Sequence, residues 1–313
     1  MKSTYTPEQK KWIRIVAAVV VAVFLLVELV GMIPGIPFNG WEDIGIAMGF
    51  LPSPVIPEGE MEVHFLDVGN ADCILVRQGD KNLLIDAADR EDQDEIIGYL
   101  TQQGVSKLDL VIATHPHADH IGSMSAILNN FPVERFVMSF VTDEATPTTK
   151  VYMDMLKALD EHSVTVDEAE PGTIYELGTA RLQILAPFEA SDDPNDISVV
   201  CRLTFGERAF MFTGDTGTGV EKQMLDSPYT LRSDVLKLSH HGSITGNSER
   251  FLYEVMPQYA VITCGIDNSY GHPHQEIVYR LKRREIQALR SDIHGVIIFT
   301  TDGTELTVTT QKE

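Results

Sequence analysis

Thr114-His-Pro-His-Ala-Asp-His-Ile-Gly122 follows directly on the apolar run Leu108-Asp-Leu-Val-Ile-Ala113. Within it stand His115, His117, Asp119 and His120, all able to ligate a metal. An apolar run of this kind reads as a buried strand that delivers the chain to the end of a sheet. A tight turn after it can aim two imidazoles one way and a carboxylate with a third imidazole another, so that two neighbouring metals share one loop. Imidazole is a borderline ligand and carboxylate a hard one, so the set suits Zn(II), Mn(II) or Fe(II) without choosing among them.

Further polar residues close other apolar runs. Arg208-Ala-Phe-Met-Phe-Thr-Gly-Asp215 reads as a strand ending in Gly-Asp, and Asp234-Val-Leu-Lys-Leu-Ser-His-His-Gly-Ser243 as a strand ending in a histidine pair. A carboxylate such as Asp215 can bridge two cations through its two oxygens, and cations about 3.5–4 Å apart suit an in-line displacement. The remaining histidines read differently. His64 alternates with apolar residues in Met61-Glu-Val-His-Phe-Leu66, as an exposed strand position does. His162 follows a helix-like stretch, where the helix dipole favours a cation, and His294 belongs to a turn before the last hairpin.

The order Asp67, His115-x-His117-x-Asp119-His120, Asp215, His240-His241 resembles that of the metallo-β-lactamase-fold hydrolases. The flanking segments resemble one branch, the extracellular hydrolase domain of ComEC-type competence proteins. They are Phe65-Leu-Asp-Val-Gly-Asn-Ala-Asp-Cys73, Leu238-Ser-His-His-Gly-Ser243, Tyr270-Gly-His-Pro-His274 and Phe299-Thr-Thr-Asp-Gly303, and the resemblance runs from about Glu60 to Lys312. It implies an α/β fold, a four-layer αββα sandwich, and two divalent metal ions, Zn or Mn. His115 and His117 are expected on the first metal, Asp119 and His120 on the second, and Asp215 between them. One of His240 and His241 completes the second site; the uncertain register at the strand end leaves open which.

The resemblance also makes Asp67 an orienting carboxylate that accepts the spare ring N–H of a ligating histidine. The wider superfamily carries one more ligand histidine before the bridging aspartate, and Ser191-Asp-Asp-Pro-Asn-Asp-Ile-Ser198 holds none. Asn195, Asp196 or water is expected there instead, which favours an oxygen-tolerant metal such as Mn(II). Asp119, His241 and His272 are the residues expected to take part in the reaction, with one of His240, His241 or His272 protonating the leaving oxygen.

Of the 313 residues 43% are hydrophobic, and strand-like runs alternate with helix-like ones after residue 60, enough for one large core. Four segments are expected: a cytoplasmic N-terminus over 1–14, a transmembrane helix over 15–33, a Pro/Gly-rich linker over 34–59 and a hydrolase domain over 60–313. Ile15 to Val27 is uninterruptedly apolar and continues past Glu28 to Ile33, approaching the ~20 residues that cross a bilayer. Lys10, Lys11 and Arg14 precede it and no Lys or Arg follows before Glu60. That asymmetry predicts a single-pass protein of the cell membrane with its catalytic domain extracellular. Cys73, Cys201 and Cys264 lack paired spacing and read as buried small residues.

The net charge of −22 repels polyanions, and no Lys/Arg cluster forms a track for long duplex DNA. Two divalent cations would nevertheless leave a locally positive pocket in an acidic surface. The substrate expected is therefore a phosphodiester or other small hydrolysable molecule, extending to single-stranded or short nucleic acid. The membrane is a partner through the N-terminal helix, and DNA uptake would need a separate channel, since one spanning segment forms no pore. The leading reading is a phosphodiesterase or nuclease that activates water on metal. Its rivals are a phosphorylcholine-type envelope esterase, a lactonase or β-lactamase-type hydrolase, and a non-catalytic binding module of a DNA-uptake complex.

Overall fold

A computed structural model describes residues 7–31, 41, 56–139, 141 and 146–312. The chain divides into two units, Met1–Pro54 with Gly98–Gly104, and Val55–Ile97 with Val105–Glu313. In the first, a helix spans Pro7–Gly31. Among the described residues no helix is long and apolar enough to cross a membrane. The expected linker over 34–59 lies almost wholly outside the described residues.

The second unit holds two sheets. The first runs in the order β15 (Leu306–Thr310), β14 (Ile297–Thr301), β1 (Met61–Phe65), β2 (Ile74–Gln78), β3 (Lys81–Ile85), β4 (Leu110–Ala113), β5 (Arg135–Met138) and β6 (Thr165–Glu168). The second runs β13 (Gln287–Arg290), β12 (Tyr259–Ile262), β11 (Val235–Lys237), β10 (Arg208–Phe212), β9 (Val200–Phe205), β8 (Ala180–Ala186) and β7 (Ile174–Leu177). In each sheet one half is antiparallel and the other parallel: β3 to β6 in the first, β10 to β13 in the second. The last hairpin closes the first sheet on its first strand, with Val63 opposite Phe299.

Strand periodicity explains how the layers join. Val63, Phe65, Leu83, Ile85, Leu110 and Ile112 share one core with Leu182, Ile184, Leu203, Phe210, Phe212, Val235 and Val261 of the second sheet. Their neighbours in sequence, Leu185, Met211, Leu236, Ala260 and Ile262, face the other way and form a second core with Val220, Met224, Phe251, Leu252, Val255, Ile277 and Leu281. Those residues come from helices Thr218–Asp226, Glu249–Val255 and Gln275–Arg283. Alternate side chains on a strand point to opposite faces, and each large apolar one removed from water contributes ~1.5–3 kcal/mol. A strand apolar throughout is therefore stable only between two layers. Against the outer side of the first sheet, Tyr152 and Met155 of the helix Lys150–Glu161 line a small cleft with Ala113, Met138 and Ile197.

The apolar runs quoted above coincide with β1, β4, β10 and β11. The edge strands β6, β7, β13 and β15 carry no such run: Thr-Val-Asp-Glu and Leu-Thr-Val-Thr-Thr are largely exposed and need no apolar alternation. His64 differs from expectation: it is buried and meets a Glu62 carboxylate oxygen at 3.0 Å rather than facing solvent. All three cysteines are buried and free.

The two sheets also meet at a pair of turns. A Cβ on Gly206 would stand 2.5 Å from the Gly303 carbonyl oxygen and 2.7 Å from its Cα, and Gly206 has φ +57. Both the space and the left-handed backbone demand glycine there. Gly206→Ala is expected to destabilise the fold by about 1–3 kcal/mol, read as a lower urea midpoint with unchanged slope.

Candidate metal centre

The C-terminal ends of parallel strands from both sheets bring the site together. Asp86 follows β3, His115 to His120 follow β4, Asp215 follows β10, His240 and His241 follow β11, and Thr263 follows β12. Brackets of this kind, where adjacent strand ends splay, are where open α/β sheets place ligands. Here the crevice opens between two such edges.

Asp215 is the centre of the cluster. Its Oδ1 lies 3.3 Å from His120 Nε2 and 3.8 Å from His241 Nε2, while its Oδ2 lies 3.9 Å from His115 Nε2 and 3.6 Å from His240 Nε2. Asp119 Oδ2 stands 3.8 Å from His120 Nε2 and 3.5 Å from His241 Nε2. One donor atom from each of Asp119, His120, Asp215 and His241 lies within 4.8 Å of the others. His117 Nδ1 is 3.0 Å from His115 Nε2. Donors arranged tetrahedrally at ~2.1 Å from a cation stand ~3.4 Å apart.

The far sides of the imidazoles are tied down. His120 Nδ1 donates to Asp86 Oδ2 at 2.7 Å, and the Thr114 backbone N–H and hydroxyl both donate to the Asp86 carboxylate at 2.7 Å. His241 Nδ1 donates to the Thr263 carbonyl at 2.9 Å. With the proton on Nδ1, each Nε2 carries its lone pair into the crevice. His120 Nε2, His241 Nε2 and Asp215 Oδ1 are all buried with no hydrogen-bond partner. Three buried polar atoms left unmatched would each cost about 1–3 kcal/mol; a divalent cation among them satisfies all three, so the residues fit the group that the donor set implies.

Charge agrees with that fit. Burial pushes the Asp215 carboxyl up, but His120 and His241 outweigh it and hold it well below the usual carboxylate range. Burial and the nearby His120 push His115 well below an ordinary imidazole, which keeps its lone pair available. Beneath the ligands lies a further charged pair. Lys237 Nζ sits 2.9 Å from Asp72 Oδ2, both almost fully buried, and Lys237 also donates to the Leu238 carbonyl at 2.8 Å. Asp72 accepts from the Thr263 hydroxyl and lies 3.6 Å from His241 Nδ1 and 3.9 Å from His120 Nδ1.

The structure thus gathers His115, His117, Asp119, His120, Asp215, His240 and His241 in one crevice. Asp67 is elsewhere: its Oδ2 accepts from Lys312 Nζ at 2.7 Å. The orienting place expected for it is held by Asp86, which follows β3 directly beside the ligand-bearing β4, whereas Asp67 follows β1, two strands further out at the same edge. Asp86 closes Leu83-Leu84-Ile85 and Lys237 interrupts Val235-Leu236 and Leu238; a charge terminating or breaking an apolar run was the available signal for both. Asp196 Oδ1 accepts from the Gly217 N–H at 3.3 Å, and Asn195 Oδ1 is buried without a partner. Neither has a described contact with the ligand histidines.

His272 stands at the rim, its ring 5.5 Å from that of His240 and 6.3 Å from that of His241. Burial, with His241, His240 and His274 around it, pushes its pKa down to about 4. A neutral ring at pH 7 offers an N–H for hydrogen bonding rather than a ready proton.

Asp86 and Asp67 can be told apart by experiment. Asp86→Asn is expected to weaken metal binding by ~10–100-fold, as removal of a ligand's hydrogen-bonded support does. Asp67→Asn loses only a surface ion pair worth ~0–1 kcal/mol and should leave metal affinity as it was. Competition against a chelating dye measures both.

A family model of the metallo-beta-lactamase superfamily matches residues 66–265. Among curated proteins, the chain is 30% identical over 260 residues to "ComE operon protein 3" of Bacillus subtilis strain 168, covering 76% of this chain and 33% of that one. It is 28% identical over 290 residues to "Competence protein ComA" of Neisseria gonorrhoeae, covering 91% and 38%. The chain spans about a third of the length of these relatives. Of solved structures, the metallo-beta-lactamase fold protein YhfI of Bacillus subtilis superposes with a TM-score of 0.50 at 14% identity, over 77% of this chain and 99% of that one. The diiron beta-hydroxylase CmlA of Streptomyces venezuelae gives 0.52 at 14% identity, over 82% and 59%. At that identity the likeness is one of fold, and the fold hosts more than one reaction. The sequence match goes further: the chain belongs to the metallo-β-lactamase superfamily, on the branch of the ComEC-type competence proteins.

Proposed function

We propose that this member of the superfamily is a membrane-anchored, extracytoplasmic metal-dependent phosphodiesterase, acting on short or single-stranded nucleic acid or on its ends. The observation that carries the reading is the convergence of His120 Nε2, His241 Nε2 and Asp215 Oδ1, buried and unpartnered, on one point. His115, His117, Asp119, His120, Asp215 and His241 would hold two divalent ions, Zn or Mn. Bound there, such ions lower the pKa of water towards ~7 and take up charge as it develops on the substrate.

The chain's own groups do the rest. Asp215, by dividing its oxygens between two sets of imidazoles, holds both sets at one spacing. Asp86 and the Thr263 carbonyl keep each Nδ1 protonated, so that neither ligand can flip its tautomer. His272 presents a ring N–H at the rim, where it would hydrogen-bond the leaving oxygen. Tyr270 stacks on His272 with ring centroids 5.6 Å apart and is 66% exposed, so it is free to meet a flat group of the substrate.

The nucleic-acid reading draws on the names of sequence relatives, among them "Competence protein ComA" and, at 26% identity, "Recombination protein 2" of Haemophilus influenzae. The anchor draws on the helix Pro7–Gly31, in which Val16, Val20, Leu25 and Leu29 are each more than half exposed. A run of exposed aliphatic groups calls for an apolar partner.

Turnover of bis-p-nitrophenyl phosphate, p-nitrophenyl phosphorylcholine and nitrocefin by the full chain, loaded with Mn(II) or Zn(II), tests the reaction. Hydrolysis of the diester alone is expected. Faster turnover of either other substrate, or none with metal bound, would replace the reading by the corresponding rival. A C-terminal tag should be cleaved by protease added to intact cells while the protein stays with the membranes; a protected tag would refute export.

A further inference from the structure

The pair His240-His241 occupies an unusual backbone. Both residues have positive φ, 51 and 52, a region that costs non-glycine residues of order 1–3 kcal/mol each and persists only where the surroundings impose it. They do so here. Buried Asn247 accepts from the Ser239 N–H at 3.0 Å and donates to the Ser239 and Ser243 carbonyls at 2.9 and 3.1 Å. His240 N–H donates to the Gly214 carbonyl at 3.0 Å, and His274 N–H donates to the Gly242 carbonyl at 3.1 Å. Gly242 admits Pro273 so closely that a Cβ would meet it at 2.7 Å.

The consequence of that turn is that two adjacent imidazoles reach different oxygens of one carboxylate. His241 Nε2 faces Asp215 Oδ1, with Asp119 and His120; His240 Nε2 faces Asp215 Oδ2 at 3.6 Å, as His115 does at 3.9 Å. His240 Nδ1 is 3.2 Å from the Thr245 hydroxyl, which itself donates to Ser243 Oγ at 3.0 Å. That hydroxyl can then only accept from His240, which puts the ring proton on Nδ1 and the lone pair on Nε2, aimed at Oδ2. The same arrangement ties His120 and His241, so His240 is set up as a ligand is.

We infer that His240 is the third imidazole of the first metal position, beside His115, His117 and Asp215 Oδ2, and takes the place for which Asn195 and Asp196 were candidates. The two positions are then completed by consecutive residues, His240 for the first and His241 for the second. The inference rests on the metal-binding reading above.

Elemental analysis of the full chain, after equilibration with Zn(II) at fixed free concentration, tests it independently of turnover. Wild type is expected to hold about two equivalents, and His240→Ala and His241→Ala about one each. If His240 serves the first position, His115→Ala with His240→Ala still holds about one, because both changes strike one site. Asp119→Ala with His240→Ala holds close to none. His240→Gln, which preserves volume and removes the strong donor, should behave as His240→Ala, and near-UV circular dichroism confirms equal folding. Two equivalents at unchanged affinity in His240→Ala and His240→Gln, or the reverse pattern in the double variants, would overturn this assignment alone. No metal in the wild type would overturn both the assignment and the reading beneath it.

Discussion

Asp215→Ala is expected to strip the protein of both metal equivalents and to lower kcat/KM on a diester by at least ~10³-fold, about 4 kcal/mol of transition-state stabilisation. The size follows from position. Every other ligand candidate serves one side of the crevice, whereas the two oxygens of Asp215 face His120 and His241 on one side and His115 and His240 on the other. Its backbone is held for that purpose: the Asp215 N–H donates to Ser198 Oγ at 3.1 Å, and Gly214 before it has φ +49. Without the carboxylate, two sets of cations and imidazoles would face each other with no anion between them. His115→Ala should lose less metal, because it leaves Asp119, His120, His241 and Asp215 Oδ1 complete. Metal analysis and turnover on the same preparations decide the matter, and equal metal loss in the two variants would count against a shared carboxylate.

Lys237→Met should destabilise the fold by about 3–5 kcal/mol near neutral pH, the cost of leaving a buried charge without its partner. Burial works against ionised Asp72, but Lys237 together with His241 and His120 outweighs it and holds the carboxyl below its usual range. A carboxyl depressed in the folded state contributes stability above its unfolded pKa, and that contribution is lost as pH falls through the folded value. Removing Lys237 reverses the sign. Burial then raises Asp72 above its unfolded value, and the variant's deficit is largest above the raised pKa and shrinks as pH falls towards it. Urea denaturation of variant and wild type at pH 8 and pH 5 should show the gap narrowing at the lower pH. Lys237→Met combined with Asp72→Asn should recover much of the loss, since no ionisable group then remains stranded. Because Asp72 also lies within 4 Å of the Nδ1 atoms of His120 and His241, the single variant is expected to bind metal more weakly as well.

What the linear order of residues determined was chemistry and the central architecture. Apolar runs such as Leu108 to Ala113 and Arg208 to Phe212 can be stable only as buried strands, and polar residues that end such runs must emerge at a sheet edge. His115, His117, Asp119, His120, Asp215 and the His240-His241 pair were legible on that ground alone, as was the anionic surface. Edge strands escaped because solvent on one side relaxes the demand for apolar side chains. The tertiary structure decided three things that spacing cannot. It distinguished His240 from His241, because two left-handed residues turn neighbouring side chains to opposite oxygens of Asp215. It gave the orienting role beside His120 to Asp86 and sent Asp67 to Lys312, because strand order sets β3 beside the ligand-bearing β4 and β1 two strands further out. It also buried Lys237 against Asp72, across 165 residues of chain. A carboxylate looks the same in a sequence wherever it stands; whether it faces water, a cation or a metal is set only when distant strand ends are brought within a few ångströms, where desolvation makes each charge depend on its neighbours.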